Sequence, residues 1–259
     1  MGASVASLYR YPVKGLSPEP LEQARMEPSS GFPINRQFAL ALPDTEFDPV
    51  HPAPHPKTRF LMLQRDERLA ELSTRYDEST GLLSIAHQGA RVLEADLGTS
   101  AGRDEVEAFF AEFLSDRLLG RRPRLVSAPG FQFTDVSVVS EPMMRAVSLI
   151  NLASLRALES AVGRALHPLR FRANIYFDGA AAWEEHGWLD HPIRIGGAVG
   201  RVVLRTTRCA ATQVNPDTAE RDCNVPKELQ QAFGHADLGV YAEIESGGLV
   251  RIGDEVGRG

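Results

Sequence analysis

The 259-residue sequence contains two cysteines, Cys209 and Cys223, and only three of its 28 basic residues are lysines. Two cysteines cannot build a disulfide framework in a chain of this length. A cytoplasmic protein with free thiols is therefore the simplest interpretation. The scarcity of lysine also limits any Schiff-base mechanism to three candidate side chains.

Long hydrophobic runs are missing as well. No apolar stretch approaches the roughly 20 residues that a membrane-spanning helix needs. The first residues, "MGASVASLYRYPVKG", lack the basic-then-apolar pattern of a signal peptide. The net charge of −6 argues against general electrostatic attraction to nucleic acid or anionic lipid. We therefore expect a globular protein that binds neither nucleic acid nor membranes.

Several common motifs of enzymes are also absent. The sequence has no GxGxxG after a strand, no GxxxxGK[ST], no HExxH and no GxSxG. These absences argue against a dinucleotide fold, a P-loop, a zincin and an α/β-hydrolase. No cysteine set suits an iron–sulfur cluster, so the two thiols need another explanation.

The hydrophobic pattern predicts few helices and many strands. Helical spacing covers 103–119, 151–166 and 226–234. The first of these is followed by Gly120 and Pro123, which suit a helix end and a break. We place a domain boundary just after it.

Strands fill most of the remaining chain. The first 100 residues contain short strands broken by Pro and Gly, including a hairpin that turns at Gln88-Gly89. Further strands cover 171–177 and 201–206, and a closing hairpin turns at Gly247-Gly248. Because strands dominate, a β-barrel or mixed β-rich fold is favoured over alternating βαβ units.

Two polar residues stand out on the strand "RFRANIYFDG". Strand alternation places Arg172 and Asn174 side by side on one face. An arginine and an asparagine so arranged form a fork of donors with one acceptor, which suits an anionic or heterocyclic ligand. The alternative is an exposed polar strand face without a ligand.

The dipeptide Arg208-Cys209 points more specifically to a functional site than the strand does. A cation next to a cysteine favours the thiolate, which binds soft metals or attacks electrophiles. The alternative is a small buried cysteine beside a surface arginine. Cys223 lies 14 residues further on without CxxC spacing, and we interpret it as structural or incidental.

Several segments, taken in order, define a family resemblance. They are "YRYPVKGL", "GFPINRQFAL", "VSLINLASL", "RFRANIYFDG", "TRCAATQVNPDT" and "GVYAEIESGGLVRIGDEV". This set resembles the MOSC family (molybdenum cofactor sulfurase C-terminal domain), preceded by its usual N-terminal β-barrel domain. The likeness covers nearly the whole chain and is similar in layout to the amidoxime-reducing members.

The resemblance implies a fold, a domain division and a cofactor. The fold is a mixed β-rich one, with an N-terminal β-barrel domain at 1–120 and a MOSC β-barrel-like domain with a few helices at 121–259. The cofactor is molybdenum cofactor (molybdopterin), with Cys209 as the metal ligand and catalytic residue. Seven further positions match cofactor-binding residues of the family: Lys14, Arg36, Ser148, Arg172, Asn174, Arg208 and Thr212.

Two functions are compatible with the resemblance. The first is a molybdenum-dependent oxidoreductase that reduces small N-hydroxylated compounds. Its electrons would come from a separate donor, such as a ferredoxin, a flavodoxin or a flavin reductase, and an arginine-rich rim including Arg208 could attract an acidic donor. The alternative is a carrier that transfers the cofactor, or sulfur as a persulfide on Cys209.

Overall fold

Strands outnumber helices in the computed structural model, which describes residues 2–258. The fifteen strands of that part are β1 Ser4–Arg10, β2 Glu19–Leu21, β3 Gln23–Met26, β4 Ala39–Ala41, β5 Leu72–Asp77, β6 Leu82–His87, β7 Ala90–Asp96, β8 Arg124–Val126, β9 Val147–Asn151, β10 Ile175–Asp178, β11 Pro192–Ile195, β12 Ala198–Thr207, β13 Asp237–Ser246, β14 Gly248–Arg251 and β15 Val256–Gly257. The α-helices of the same part are α1 Ser100–Phe113, α2 Ser115–Leu118, α3 Glu141–Met144, α4 Leu152–Val162 and α5 Val225–Phe233. The predicted mixed β-rich fold is confirmed.

Eight strands form the main sheet, in the order β15-β11-β12-β13-β9-β10-β1-β2. Only the β9–β10 pair is parallel. The sheet curls so that its β15 end approaches the start of β1, the second strand from the other end. Val5 N donates to Asp254 O at 2.8 Å, and Val256 N donates to Ala3 O at 2.9 Å. The interior is filled by buried apolar side chains, including Leu149, Phe177 and Val240.

A second apolar core lies under the three-stranded sheet β5-β6-β7. Helix α1 covers this sheet and contributes Val106 and Phe110, which are fully buried. The predicted hairpin is present between β6 and β7. Gln88 and Gly89 both have positive φ, 52° and 79°, as a type I′ turn requires.

The predicted helices exist, with shifted ends. Helix α1 begins earlier than predicted, because the Thr99 hydroxyl accepts from Gly102 N at 3.1 Å and caps it. The predicted helix 103–119 is divided at Leu114. Both pieces contribute to the second core, α1 with Val106 and Phe110 and α2 with Leu118. Helix α4 ends before the predicted residue 166, because the left-handed backbone of Gly163 terminates it. The third helix, α5, agrees with the prediction.

The predicted closing hairpin at Gly247-Gly248 is wrong. Strand β14 pairs with β3, with Gly248 opposite Met26, instead of folding back on β13. The chain passes so close to Gly197 that a Cβ on Gly248 would lie 2.1 Å from the Gly197 carbonyl oxygen. This crowding directs β14 away from β13 and onto the N-terminal segment.

The main sheet takes strands from both halves of the chain. Strands β1 and β2 precede residue 120, yet β1 pairs with β10. The division into 1–120 and 121–259 stays a prediction about which parts fold independently. No α-helix among residues 2–258 is long and apolar enough to cross a membrane.

Candidate functional site

A cavity of about 320 Å³ opens between the main sheet and the N-terminal segments. Seven of the eight residues predicted from the sequence line it, and they come from positions far apart in the chain: Lys14, Arg36, Ser148, Arg172, Arg208, Cys209 and Thr212. The eighth, Asn174, does not line the cavity. The fold therefore gathers most of the predicted residues around one space.

Arg36 and Arg172 form a pair at one side of the cavity. Their guanidinium carbons lie 5.1 Å and 4.4 Å from the ring centre of Tyr11, which is fully buried. The Tyr11 hydroxyl donates to Ala173 O at 3.2 Å, so the ring is held in place. Attraction to the electron-rich face of an aromatic ring stabilises a guanidinium cation, so Tyr11 offsets part of the repulsion between the two arginines. Both arginines have left-handed backbone, with φ of 52° and 54°.

The predicted strand through Arg172 is wrong at that residue. A short 3-10 helix, Pro168–Phe171, ends in the left-handed Arg172, and β10 begins only at Ile175. This turn breaks the strand alternation and aims the arginine at the cavity. Its Nη2 is buried without a hydrogen-bond partner, and burial lowers the pKa of Arg172 to about 10. Such an unmatched donor is costly unless a ligand accepts from it.

Asn174 lies behind the cavity wall and not beside Arg172 as predicted. Its Oδ1 accepts from the Ser148 hydroxyl at 3.0 Å, and its Nδ2 donates to Tyr9 O at 3.2 Å. Asn174 N also donates to the Ser148 hydroxyl at 3.0 Å. Asn174 thus fixes Ser148, which does line the cavity, and ties β9 to β1.

Lys14 is buried and already paired within the protein. Its ammonium donates to Phe133 O at 2.9 Å and forms an ion pair with Asp135. Burial alone would raise the pKa of Asp135, but Lys14 and Lys57 lower it to about 2. Asp135 is therefore an anion at neutral pH, and Lys14 does not present a free charge to the cavity.

Cys209 follows the end of β12 and lines the cavity in a half-buried position. Its carbonyl oxygen accepts from the Thr212 hydroxyl at 2.8 Å, which closes the 3-10 turn after it. Thr212 therefore shapes the turn that presents the thiol. Cys223, in contrast, packs in an apolar cluster with α4 and α5, and burial raises its pKa.

The guanidinium group of Arg208 is held by backbone carbonyl groups of the protein. Its Nε donates to Leu238 O at 2.8 Å and its Nη1 donates to Phe171 O at 3.0 Å. The side chain is buried, so the expectation of an exposed arginine rim that includes Arg208 is wrong. The residue joins β12, β13 and the turn before Arg172, and burial lowers its pKa.

The loop after Cys209 is anchored by two arginines. Arg170, which is buried, forms an ion pair with Asp222 at 3.0 Å and donates to Thr212 O at 3.1 Å. Arg221 donates to Ala210 O at 3.2 Å and also reaches Glu67 at 3.0 Å. These contacts connect the cysteine loop to the N-terminal part of the chain and fix the position of the thiol.

Sequence reasoning missed several residues that line the cavity. They are Lys57, Gln64, Asp135, Thr206 and Tyr241. Gln64 Oε1 and Thr206 Oγ1 are buried without partners, like Arg172 Nη2. The rarity of lysine was the one available signal for Lys57. Tyr241 lies in one of the segments that define the family resemblance, but nothing in the segment singled out this residue. Gln64, Asp135 and Thr206 had no such signal, and only the fold brings them to the cavity.

Two family models together match most of the chain. The MOSC domain model matches residues 131–257, and the MOSC N-terminal beta barrel domain model matches residues 2–117. The chain belongs to the MOSC family.

Its relatives include the mitochondrial amidoxime-reducing components, at a distance. Component 1 of Mus musculus is 25% identical over 98% of this chain and 81% of that protein. Component 1 of Homo sapiens is also 25% identical, over 98% of this chain and 82% of that protein. Among solved structures, the YUAD protein from Bacillus subtilis aligns with 99% of this chain and 94% of its own, at a TM-score of 0.43 and 12% identity.

Proposed function

We propose that the protein is a molybdenum cofactor-dependent oxidoreductase that reduces small N-hydroxylated compounds. The observation that carries the proposal is the cavity itself, on which Cys209 and the Arg36–Arg172 pair both open. A thiol and two arginines in one cavity suit a ligand with a soft metal at one end and a phosphate at the other. The relation to amidoxime-reducing components supports the choice of substrate.

The residues of the cavity fit the molybdenum cofactor. Arg172 has an unpartnered buried donor that a phosphate oxygen can accept from, and the guanidinium group of Arg36 lies near the same Tyr11 ring. Gln64 Oε1 and Thr206 Oγ1 are an acceptor and a hydroxyl that a pterin ring can satisfy. Cys209 would bind the metal. We therefore assign the phosphate to the arginines and the metal to the thiol.

The reaction requires two electrons and two protons. An amidoxime that accepts them gives an amidine and water. The cofactor, when bound, supplies a metal centre that exchanges electrons with the substrate. Asp135 stays ionised and is not the proton donor. Burial raises the pKa of Tyr241, so this cavity-lining hydroxyl keeps its proton and can donate a hydrogen bond to the substrate.

Electrons must come from another molecule in this proposal. The sequence shows no flavin, nicotinamide, haem or iron–sulfur motif. We propose a separate donor such as a ferredoxin, a flavodoxin or a flavin reductase. A carrier of cofactor or sulfur, with a persulfide on Cys209, is the competing function, and it predicts no catalytic turnover.

The test is reduction of benzamidoxime by molybdenum-loaded protein. We expect turnover with a reduced dye as donor and none with NADH alone. The Cys223→Ala variant is the matched control and should keep the activity, because Cys223 lies outside the cavity lining. Loaded protein that reduces no N-hydroxylated compound with the dye would favour the carrier function. Rapid NADH oxidation by the isolated protein would contradict the need for a separate donor.

A further inference from the structure

The lining of the cavity includes two segments that are far apart in the chain. One is the cysteine loop, defined here as residues 209–223, which contributes Cys209 and two other lining residues. The other is the segment 62–67, which contributes Gln64 and the two residues before it. Within residues 2–258, the hydrogen bonds that join these two segments all come from one side chain, that of Arg221. The polar connection between the segments therefore depends on a single residue.

Arg221 reaches both segments with one planar guanidinium group. Its Nη1 donates to the carbonyl oxygen of Ala210, directly after the cysteine, at 3.2 Å. Its Nη2 donates to Gln64 O at 3.0 Å and to Leu63 O at 3.2 Å, and it forms an ion pair with Glu67 at 3.0 Å. The rigid fork of an arginine can hold acceptors on two sides at once. The group thus joins the backbone beside the thiol to the backbone of Gln64, whose Oε1 is buried without a partner.

The turn that carries Arg221 is closed by its own hydrogen bonds. Val214 and Arg221 form an isolated antiparallel bridge. Asn215 N donates to Glu220 O at 2.8 Å, and Asn215 Nδ2 donates to the Asp222 carboxylate at 2.9 Å. The cysteine loop is therefore a folded unit that presents the guanidinium group to the segment 62–67.

Solvent reaches the link that Arg221 makes. The side chains of Arg221 and Glu67 are each 30% exposed, so water competes for the same donors and acceptors. Hydrogen bonds and ion pairs of this exposure each contribute little free energy. The cysteine loop is also attached by the buried Arg170, through Asp222 and Thr212 O. One attachment of the loop is thus buried, and the other is open to water and easier to break.

We propose that Arg221 is a positioning residue that clamps the cysteine loop to the segment 62–67 and limits the size of the molecules that reach Cys209. With the clamp closed, the thiol and Gln64 keep a fixed separation. With the clamp open, the cavity widens at the thiol and admits a bulkier molecule. Resting on the proposed function, we identify that molecule as the molybdenum cofactor. Arg221 does not line the cavity, so it acts through the loop.

The test measures access to the thiol in cofactor-free protein. N-methylmaleimide and N-phenylmaleimide alkylate thiols by the same chemistry and are both uncharged, but they differ in bulk. Mass spectrometry of peptides follows the rates at Cys209 and Cys223 separately. For Cys209, the ratio of the phenyl rate to the methyl rate should rise about fivefold in Arg221→Met, because the lost hydrogen bonds favour the closed clamp by roughly that factor. The ratio cancels any change in the reactivity of the thiolate itself.

Two further variants separate the link from the charge. Arg221→Lys keeps the positive charge near Glu67 but offers one nitrogen in place of a fork, so its ratio should rise as in Arg221→Met. Arg117→Met is the matched control, because Arg117 pairs with the same Glu67 at 3.4 Å. Among the described residues, Arg117 neither bonds to the cysteine loop nor lines the cavity. Its ratio should equal that of wild type.

Three results would overturn the proposal: a wild-type ratio in Arg221→Met, a wild-type ratio in Arg221→Lys, or an equal rise at Cys223. The last result would show that the whole loop unfolds, because Cys223 is buried among side chains of α4 and α5. None of these measurements needs bound molybdenum. The reductase function can therefore fail while the clamp is confirmed, and the clamp can fail while the reductase function is confirmed.

Discussion

Arg172 matches a family motif, but its backbone conformation differs from the strand that the sequence pattern predicted. The sequence placed Arg172 on a strand face, but strand alternation does not hold at that position, although the residue does line the cavity. A left-handed turn, with φ of 54°, aims the side chain at the cavity. The guanidinium carbon of Arg172 lies 4.4 Å from the ring centre of Tyr11. Neither the turn nor the ring contact follows from the local sequence, because Tyr11 is distant in the chain.

Replacing Arg172 by Met should separate binding from stability. The variant removes a buried cation whose Nη2 has no partner in the protein. We expect the cofactor-free protein to keep its free energy of unfolding or to gain up to about 1 kcal/mol. Cofactor content after purification should fall severalfold, because phosphate loses a donor.

Chemical denaturation and molybdenum analysis check this prediction together. The control is Arg194→Met on β11, an exposed arginine that does not line the cavity. It should change neither quantity. Full cofactor content in an unstable Arg172→Met variant would mean that Arg172 has a structural role only.

At the scale of elements, helices were easier to predict than strand partners. Helical spacing located α4 and α5, and Gly234 marked the end of α5 because caps are local signals. Gly163, which ends α4 before the predicted residue 166, was not recognised. The partner of β14 is set by a close approach to Gly197 and by the distant β3, which no local pattern reports. The short 3-10 helix Glu184–Trp188 is a further case, since it packs against the distant strand β13.

His186 in this short helix should make stability depend on pH. Its ring packs with Trp183 and His235, and its Nε2 is buried without a partner. Burial, with Arg205 and His235 nearby, lowers its pKa from 6.5 to about 4, while Asp237 opposes the shift. The unfolded chain therefore binds a proton at a pH where the folded protein does not.

The sign of the effect follows directly. The stability that the protein gains from keeping His186 neutral is fully present above pH 6.5, and it is lost as the pH falls towards 4. Between pH 7 and 4.5, thermal unfolding should show that wild type loses stability more steeply than His186→Phe. The upper limit for the difference in the free energy of unfolding is about 3 kcal/mol. The exposed His51, changed to Gln, is the control and should keep the slope of wild type. Identical slopes for wild type and His186→Phe would show that His186 does not titrate in this way.

Across the whole molecule, the sequence predicted several residues that line the cavity, but it did not predict the charged residues Asp135 and Lys57 that line it as well. Cys209, Arg36 and Lys14 were found from motifs, and the fold brings them together. Asp135 pairs with Lys14 across 121 positions of the chain, and Lys57 arrives on a proline-rich loop. Contacts over such separations depend on how the sheets close, so they could not be read from any single segment.

The most direct test of the account is the molybdenum content of purified protein from a host that makes the cofactor. Mass spectrometry should find molybdenum in wild type and in Cys223→Ala, whose sulfur lies in an apolar cluster. Cys209→Ala should lose most of the metal, because the thiol on the cavity wall would be its protein ligand. Equal molybdenum in the two variants would contradict the assignment of Cys209 and with it the central claim.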